Sequence, residues 1–219
     1  MGEARFSDPV ALLKNLEAER GSVVIPVLSS LDMNTLEIVL AKIRTAPVGK
    51  RIDVILHSEG GNALAGQQIA RALKAHEGTT TVFVPYFALE SATFIALAAD
   101  EIAMGPNAAL TPIDPVVSIS LPLIFVATNP KLPPSLVTEH WLYPASSILK
   151  GIRDKPASLV EDRTYIAADM ARKLTSEARR VVCELTHDGR NHGESCIESY
   201  PYSRTTRRTP SSWTPMART

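Results

Sequence analysis

The chain has 219 residues, of which 45% are apolar, 21% charged and 5% aromatic, with a formal net charge of zero. That profile suits one globular domain with additions, and it excludes a disordered or fibrous chain. It also excludes a global field that would draw the protein to nucleic acid or an anionic membrane. The two cysteines, Cys183 and Cys196, lack both the CxxC spacing of a zinc or redox site and the density of a secreted scaffold. They read as free or buried thiols of a reduced compartment. Met1 to Asp8 is polar where a signal peptide needs an apolar core. No apolar run reaches the ~20 residues of a membrane span. The nearest, Val116 to Thr128, is short and broken by Pro122. A soluble cytoplasmic protein is the expectation.

Asp8 and Pro9 open a short helix carrying Val10, Leu12, Leu13 and Leu16, which Gly21 ends. Val23 to Leu28 is a buried strand. Asp32 caps a second helix with Leu36, Ile38, Val39, Leu40 and Ile43 at helical spacing. Ile52 to Leu56 is the next strand and runs into His57-Ser58-Glu59-Gly60-Gly61. A helix from Ala63 to His76 follows, stopped by Gly78. Thr79 to Val84 is a third strand, ended by Pro85. Ala92 to Ala99 is a helix apolar on every side, hence buried, and Glu101 to Met104 is a short strand. Strands alternating with helices imply right-handed crossovers and a mostly parallel sheet, with the functional site at the carboxyl ends of its strands.

Beyond Pro115 the periodicity weakens. Residues 116–142 are apolar but interrupted by prolines, and they read as an insertion without assigned structure. Pro144 to Arg153 reads as a short helix and Ser158 to Leu185 as a long amphipathic one. From Asp188 onward Ser, Thr, Arg and Pro displace aliphatic residues, so 187–219 is expected as a disordered tail. The domain plan is therefore an N-terminal helix over 1–21, an α/β domain over 22–186 containing that insertion, and the tail.

Two strand ends carry unusual chemistry. Paired glycines at Gly60-Gly61 let the backbone turn sharply and bring amide donors close to a ligand, although a tight turn alone also accounts for such a pair. Donors of this kind stabilise an oxyanion, each worth about 3 kcal/mol of barrier. Ser91, at the start of a buried helix, is either a nucleophile or simply an N-cap. His57 reads as a satisfied structural residue. His187 and His192 lie near the cysteines without any standard zinc spacing, so no metal is expected. No GxGxxG loop is present, and no cofactor is expected.

The segments Asp53-Val54-Ile55-Leu56-His57-Ser58-Glu59-Gly60-Gly61, Gln68 to Leu73 and Val82-Phe83-Val84-Pro85 resemble the serine dehydrogenase proteinase family. Ile95 to Ile102 and Pro112-Ile113-Asp114-Pro115 continue the likeness, which returns at Tyr143 to Lys150. These proteins are relatives of signal peptide peptidase A and of the Clp proteolytic subunit. The resemblance implies an α/β, Clp/crotonase-like fold, a mostly parallel sheet with crossover helices. It also implies a serine peptidase acting on a peptide or protein substrate, and a homo-oligomer. Gly60 and Gly61 match the glycine pair of the oxyanion hole, and Lys150 is the positional match for a lysine base.

The family's nucleophilic serine falls five residues after the proline matching Pro85, followed by two small residues. Here that position is Glu90, with Ser91 one residue late and Ser91-Ala92 as the small pair. A one-residue shift at a helix start turns a side chain by roughly 100°. Two expectations follow from this departure. One is a serine peptidase with Ser91 as nucleophile, Lys150 as base and Gly60, Gly61 and Ala92 around the substrate. The other is a catalytically inactive homologue that binds peptides or assembles with partners, because Glu90 stands where the nucleophile belongs. Glu90 itself is an alternative acid or base.

Overall fold

A computed structural model describes residues 8–125 and 135–186 of the chain, and these divide into two units, one of 8–113 with 181–186 and one of 114–180. In the first unit the order is α1 (Pro9–Arg20), β1 (Val23–Val27), α2 (Met33–Thr45), β2 (Ile52–Leu56), α3 (Ala63–Lys74), β3 (Thr80–Val84), β4 (Phe87–Ala88), α4 (Ser91–Ala98), β5 (Glu101–Met104) and β6 (Ala109–Leu110). Four strands form a wholly parallel sheet in the order β1-β2-β3-β5. β4 and β6 form a separate parallel pair.

The local chemistry explains these elements. The Asp8 side chain accepts from the Val10 amide at the start of α1, and Gly21 closes that helix at φ 61°. The Asp32 side chain accepts from the Thr35 amide at the start of α2. Strands buried on both faces read as near-continuous apolar runs. Accordingly Val24, Ile25 and Val27, then Ile52, Val54 and Leu56, then Val82 and Val84, are all buried. Pro26 is tolerated because β1 lies at the sheet edge, where a missing N–H breaks no ladder.

One charge sits inside this apolar layer. Asp53 in β2 is 0% exposed, and the Arg20 guanidinium donates to both of its oxygens, at 2.5 and 3.3 Å. That hydrogen bond raises the Arg20 pKa above its ordinary value. Arg20 also lies 4.8 Å over the Phe83 ring. Fastening the end of α1 to β2 in this way satisfies a carboxylate whose isolation would cost several kcal/mol.

α4 is buried on nearly every side, as its apolar sequence requires, with Phe94 only 1% exposed. Its first turn lies directly on α3, at Gly66. A Cβ there would overlap the Ser91 carbonyl oxygen and come within 3.1 Å of the Ser91 Cβ. The glycine inside α3 is thus a packing requirement. The last turns of α6 complete this unit, where Glu184 accepts two hydrogen bonds from Arg71 at 2.9 and 3.0 Å.

The second unit holds β7 (Val116–Phe125), β8 (Ser135–Pro144), α5 (Ala145–Asp154), a 3-10 turn (Ala157–Leu159) and most of α6 (Asp162–Thr186). The segment 116–142, unassigned from sequence, is largely an antiparallel hairpin in which Val116 faces Pro144 and Phe125 faces Ser135. Pro122 in β7 is compatible because both strands of a two-stranded sheet are edges. Val117, Ala145 and Ala171 form a small core with Ile119, Ile148 and Leu149. Asp114 accepts hydrogen bonds from the Ser146 amide and hydroxyl, which ties the first turn of α5. α6 starts four residues later than the expected Ser158, after the 3-10 turn.

One further sequence expectation changes. Cys183 is buried, but it is disulfide-bonded rather than a thiol. Cys196 and the expected tail over 187–219 lie outside the described residues. Among the described residues no helix is long and apolar enough to cross a membrane.

The Gly66 contact is directly testable. Gly66→Ala is expected to destabilise the protein by about 1–3 kcal/mol through overpacking against α4. Chemical denaturation reads this as a lowered midpoint, and an unchanged midpoint would mean that α3 and α4 do not touch there.

Candidate active site

The site is built where β2 and β4 hand over to α3 and α4, at the carboxyl end of the sheet in the first unit. After β2 the chain turns through Ser58, Glu59, Gly60 and Gly61. The Gly60 amide donates to the Ser58 hydroxyl at 3.1 Å, and the Gly60 carbonyl accepts from Leu31 at 2.7 Å. Asn62 then caps α3 by accepting from Leu64 and Ala65. Gly60 and Gly61 have φ values of 92° and 129°, which disfavour any side chain.

The second turn abuts the first. Ser58 exchanges backbone bonds with the β4 segment, donating to Phe87 at 3.3 Å and accepting from Leu89 at 3.0 Å. A Cβ on Gly60 would lie 2.8 Å from the Leu89 oxygen, 3.0 Å from the Glu90 Cβ and 3.3 Å from the Ser91 nitrogen. Gly60 therefore has to be glycine for the two turns to meet.

Glu90 forms the apex of this second turn. It is the one non-glycine residue of positive φ among those described, at φ 49° and ψ −116°, a strained conformation that costs about 1–3 kcal/mol. Its amide donates to the Thr111 hydroxyl at 2.8 Å. The Thr93 hydroxyl donates within reach of the Ala88 and Thr111 carbonyls, at 3.1 and 3.0 Å, bracing the same turn. A strained strand-to-helix turn of this kind is how hydrolases lift a nucleophile out of the fold. The side chain at the apex is exposed, and it is a carboxylate.

Ser91 occupies the next position, inside the fold. The residue is 4% exposed, and its hydroxyl is buried with no hydrogen-bond partner among the described residues. Its Cβ packs towards Gly66 of α3. Ala92 is fully buried, and its amide donates to the Leu89 carbonyl at 2.9 Å. Two amides at this junction, those of Gly61 and Ser91, donate to no acceptor among the described residues. Of the two residues, Gly61 is exposed and Ser91 is buried, so the Gly61 amide is the candidate to meet a ligand oxygen.

Other candidates fall in different places. His57, expected as a satisfied structural residue, packs against Phe87 at 4.2 Å and Tyr86 at 5.6 Å between ring centres, yet its Nδ1 is buried without a partner among the described residues. Lys150 is exposed on α5, in the second unit. The structure thus brings together Gly60, Gly61, Glu90, Ser91 and Ala92 in one unit, with Lys150 belonging to the other. Among the described residues no group of three His, Cys, Asp or Glu side chains could hold a metal ion. Thr111 and Gly66 escaped sequence reasoning. A glycine inside a helical pattern was the available signal for the second.

Comparison with known proteins adds the lineage. A family model described as ClpP-like SDH-type serine proteinase matches residues 1–198. An uncharacterised protein of Methanocaldococcus jannaschii is 39% identical over 164 residues, covering 75% of this chain and 49% of that one. A second uncharacterised protein of the same organism is 33% identical over 198 residues, covering 84% and 60%. The chain therefore spans about half to three-fifths of the length of these relatives. Among solved structures, ClpP1 from Listeria monocytogenes is similar at 16% identity and TM-score 0.46, covering 85% of this chain and 82% of that one. A mutant of the 1510-N membrane-bound stomatin-specific protease, in complex with a substrate peptide, is similar at 23% identity and TM-score 0.37, covering 42% and 44%. On the family match and the two relatives, the chain belongs to the ClpP-like SDH-type serine proteinases.

Proposed function

We propose that this chain is a member of its family that binds peptides at the Glu90 turn without hydrolysing them through a serine. The observation that carries this reading is the exchange of roles at the turn: the exposed, strained apex holds Glu90, while the Ser91 hydroxyl is buried. Attack on a carbonyl needs reacting atoms about 3 to 3.5 Å apart, and a displacement of about 1 Å costs ~100-fold. A hydroxyl without accessible surface, packed towards α3, does not meet that condition.

The electrostatics point the same way. Each amide donor to an oxyanion is worth about 3 kcal/mol, but a carboxylate beside the donors opposes the same developing charge. Binding does not suffer equally, because a peptide carbonyl develops no full charge in the ground state. A turn with an unpaired amide at the exposed Gly61 therefore retains a means to hold a peptide while lacking the means to cleave it.

Labelling with a fluorophosphonate probe tests this reading. The native chain is expected to show no labelling, and Glu90→Ser is expected to gain it. Native labelling that disappears in Ser91→Ala would instead establish a serine hydrolase with a displaced nucleophile.

We also expect the chain to self-associate. In α6, Ile166, Met170 and Leu174 repeat every fourth residue and are 62%, 44% and 37% exposed, an apolar stripe on one helix face. Light scattering at micromolar concentration should report more than one copy per particle, and a strict monomer would refute the expectation.

A further inference from the structure

We propose that the peptide held at the Glu90 turn carries a basic side chain, lysine or arginine, which pairs with the Glu90 carboxylate while a neighbouring backbone carbonyl of the same peptide meets the Gly61 amide. The inference rests on the peptide-binding reading and goes beyond it by naming the ligand's chemistry.

Glu90 has no structural use for its charge. It stands at the N-cap position of α4 but makes no side-chain cap, and its carboxylate has no ion pair or hydrogen bond among the described residues. Backbone geometry does not call for it either, because φ 49° is a conformation that glycine adopts without strain and glutamate does not. The turn is instead braced from behind, by Thr111 on the Glu90 amide and by Thr93 on the flanking carbonyls. The result is an exposed anion on a rigid support, the arrangement that lets one side chain select a ligand.

The surroundings carry the same sign. The segments that leave the carboxyl ends of the four parallel strands are 28–32, 57–62, 85–91 and 105–113. They contain Asp32, Glu59 and Glu90, all three exposed, with His57 and no lysine or arginine. The Asp32 carboxyl is held below its usual pKa by the hydrogen bond from the Thr35 amide, so it remains ionised at neutral pH. The cations lie at the other end of the sheet, where Arg20, Lys50 and Arg51 precede strands β1 and β2. A mouth lined by one sign of charge raises the local concentration of ligands of the opposite sign and rejects like charge.

Two requirements then fall on one ligand. The Gly61 amide needs an acceptor, which any peptide supplies through its backbone. Glu90, next to Ser91 in the chain and in contact range of Gly60, needs a donor, which a lysine or arginine side chain supplies. An acidic peptide would meet the first requirement and fail the second.

The test uses the full chain and fluorescein-labelled nonapeptide pools of mixed sequence, fixed at the central position as lysine, alanine or glutamate. Affinity is read by fluorescence anisotropy at low and high salt. The lysine pool is expected to bind about fivefold tighter than the alanine pool, the upper end for one solvent-facing ion pair, and the glutamate pool weakest. The spread should shrink as salt is added. In Glu90→Gln, with folding confirmed by circular dichroism, the lysine-to-alanine ratio should fall to within about twofold, and Glu90→Asp should retain part of it. Binding of all pools without a lysine preference, or a preference that survives Glu90→Gln, would overturn this inference and leave peptide binding standing. Binding of no pool would overturn the peptide-binding reading and this inference with it.

Discussion

Two strand-to-helix turns meet at the carboxyl end of the parallel sheet with no room for a side chain between them. Gly60 supplies the missing volume on one side, so that the Leu89 carbonyl and the Ser91 amide can close on it. Gly66 supplies it from α3, where the first turn of α4 lies directly on the helix backbone. Between these two glycines the chain runs from Leu89 to Ser91, with residue 90 at φ 49°. The strain is distributed over several braces. Ser58 bonds the turn through its backbone, Thr111 through its hydroxyl, and Thr93 through two carbonyls. This contact sets which side chain faces outward.

The consequence for chemistry follows from geometry and charge together. In a serine peptidase of this family the apex and the amide pair act on one carbonyl, the first by attack and the second by receiving the oxyanion. Here the apex carries a negative charge, beside the paired glycines Gly60 and Gly61. A carboxylate at that point weakens exactly the interaction that distinguishes the transition state from the bound peptide, and leaves the ground-state contacts largely intact. On the proposed reading, the side chain that stands in place of a nucleophile also serves as the recognition element. The four loops at this end of the sheet carry no lysine or arginine, so none of them offers Glu90 a partner charge.

Much of the fold was legible in the sequence, for physical reasons that differ by element. β1, β2 and β3 announce themselves because a strand covered on both faces must be apolar along its whole length, and Asp8, Asp32 and Gly21 mark helix ends by chemistry that acts over three residues. The hairpin of β7 and β8 was not legible, because prolines such as Pro122 break the alternation while an edge strand tolerates them. Cys183 read as a thiol because pairing depends on a partner that spacing does not reveal. At the site, Gly60-Gly61 and the displacement of serine from residue 90 to residue 91 were visible. Which of Glu90 and Ser91 is buried was not, because the answer lies in the contact with Gly66, 25 residues away in the chain. Thr111 was hidden for the same reason: its bond to the Glu90 amide spans 21 residues.

The central claim is that residue 90 stands exposed at the turn and residue 91 lies beneath it. Thiol accessibility measures this most directly, by introducing Glu90→Cys and Ser91→Cys separately and following alkylation of each site in the folded protein by peptide mapping. The account predicts rapid modification in Glu90→Cys, and modification in Ser91→Cys only as fast as local unfolding exposes the site. Equal rates, or faster modification in Ser91→Cys, would contradict it and return Ser91 to the place of the nucleophile.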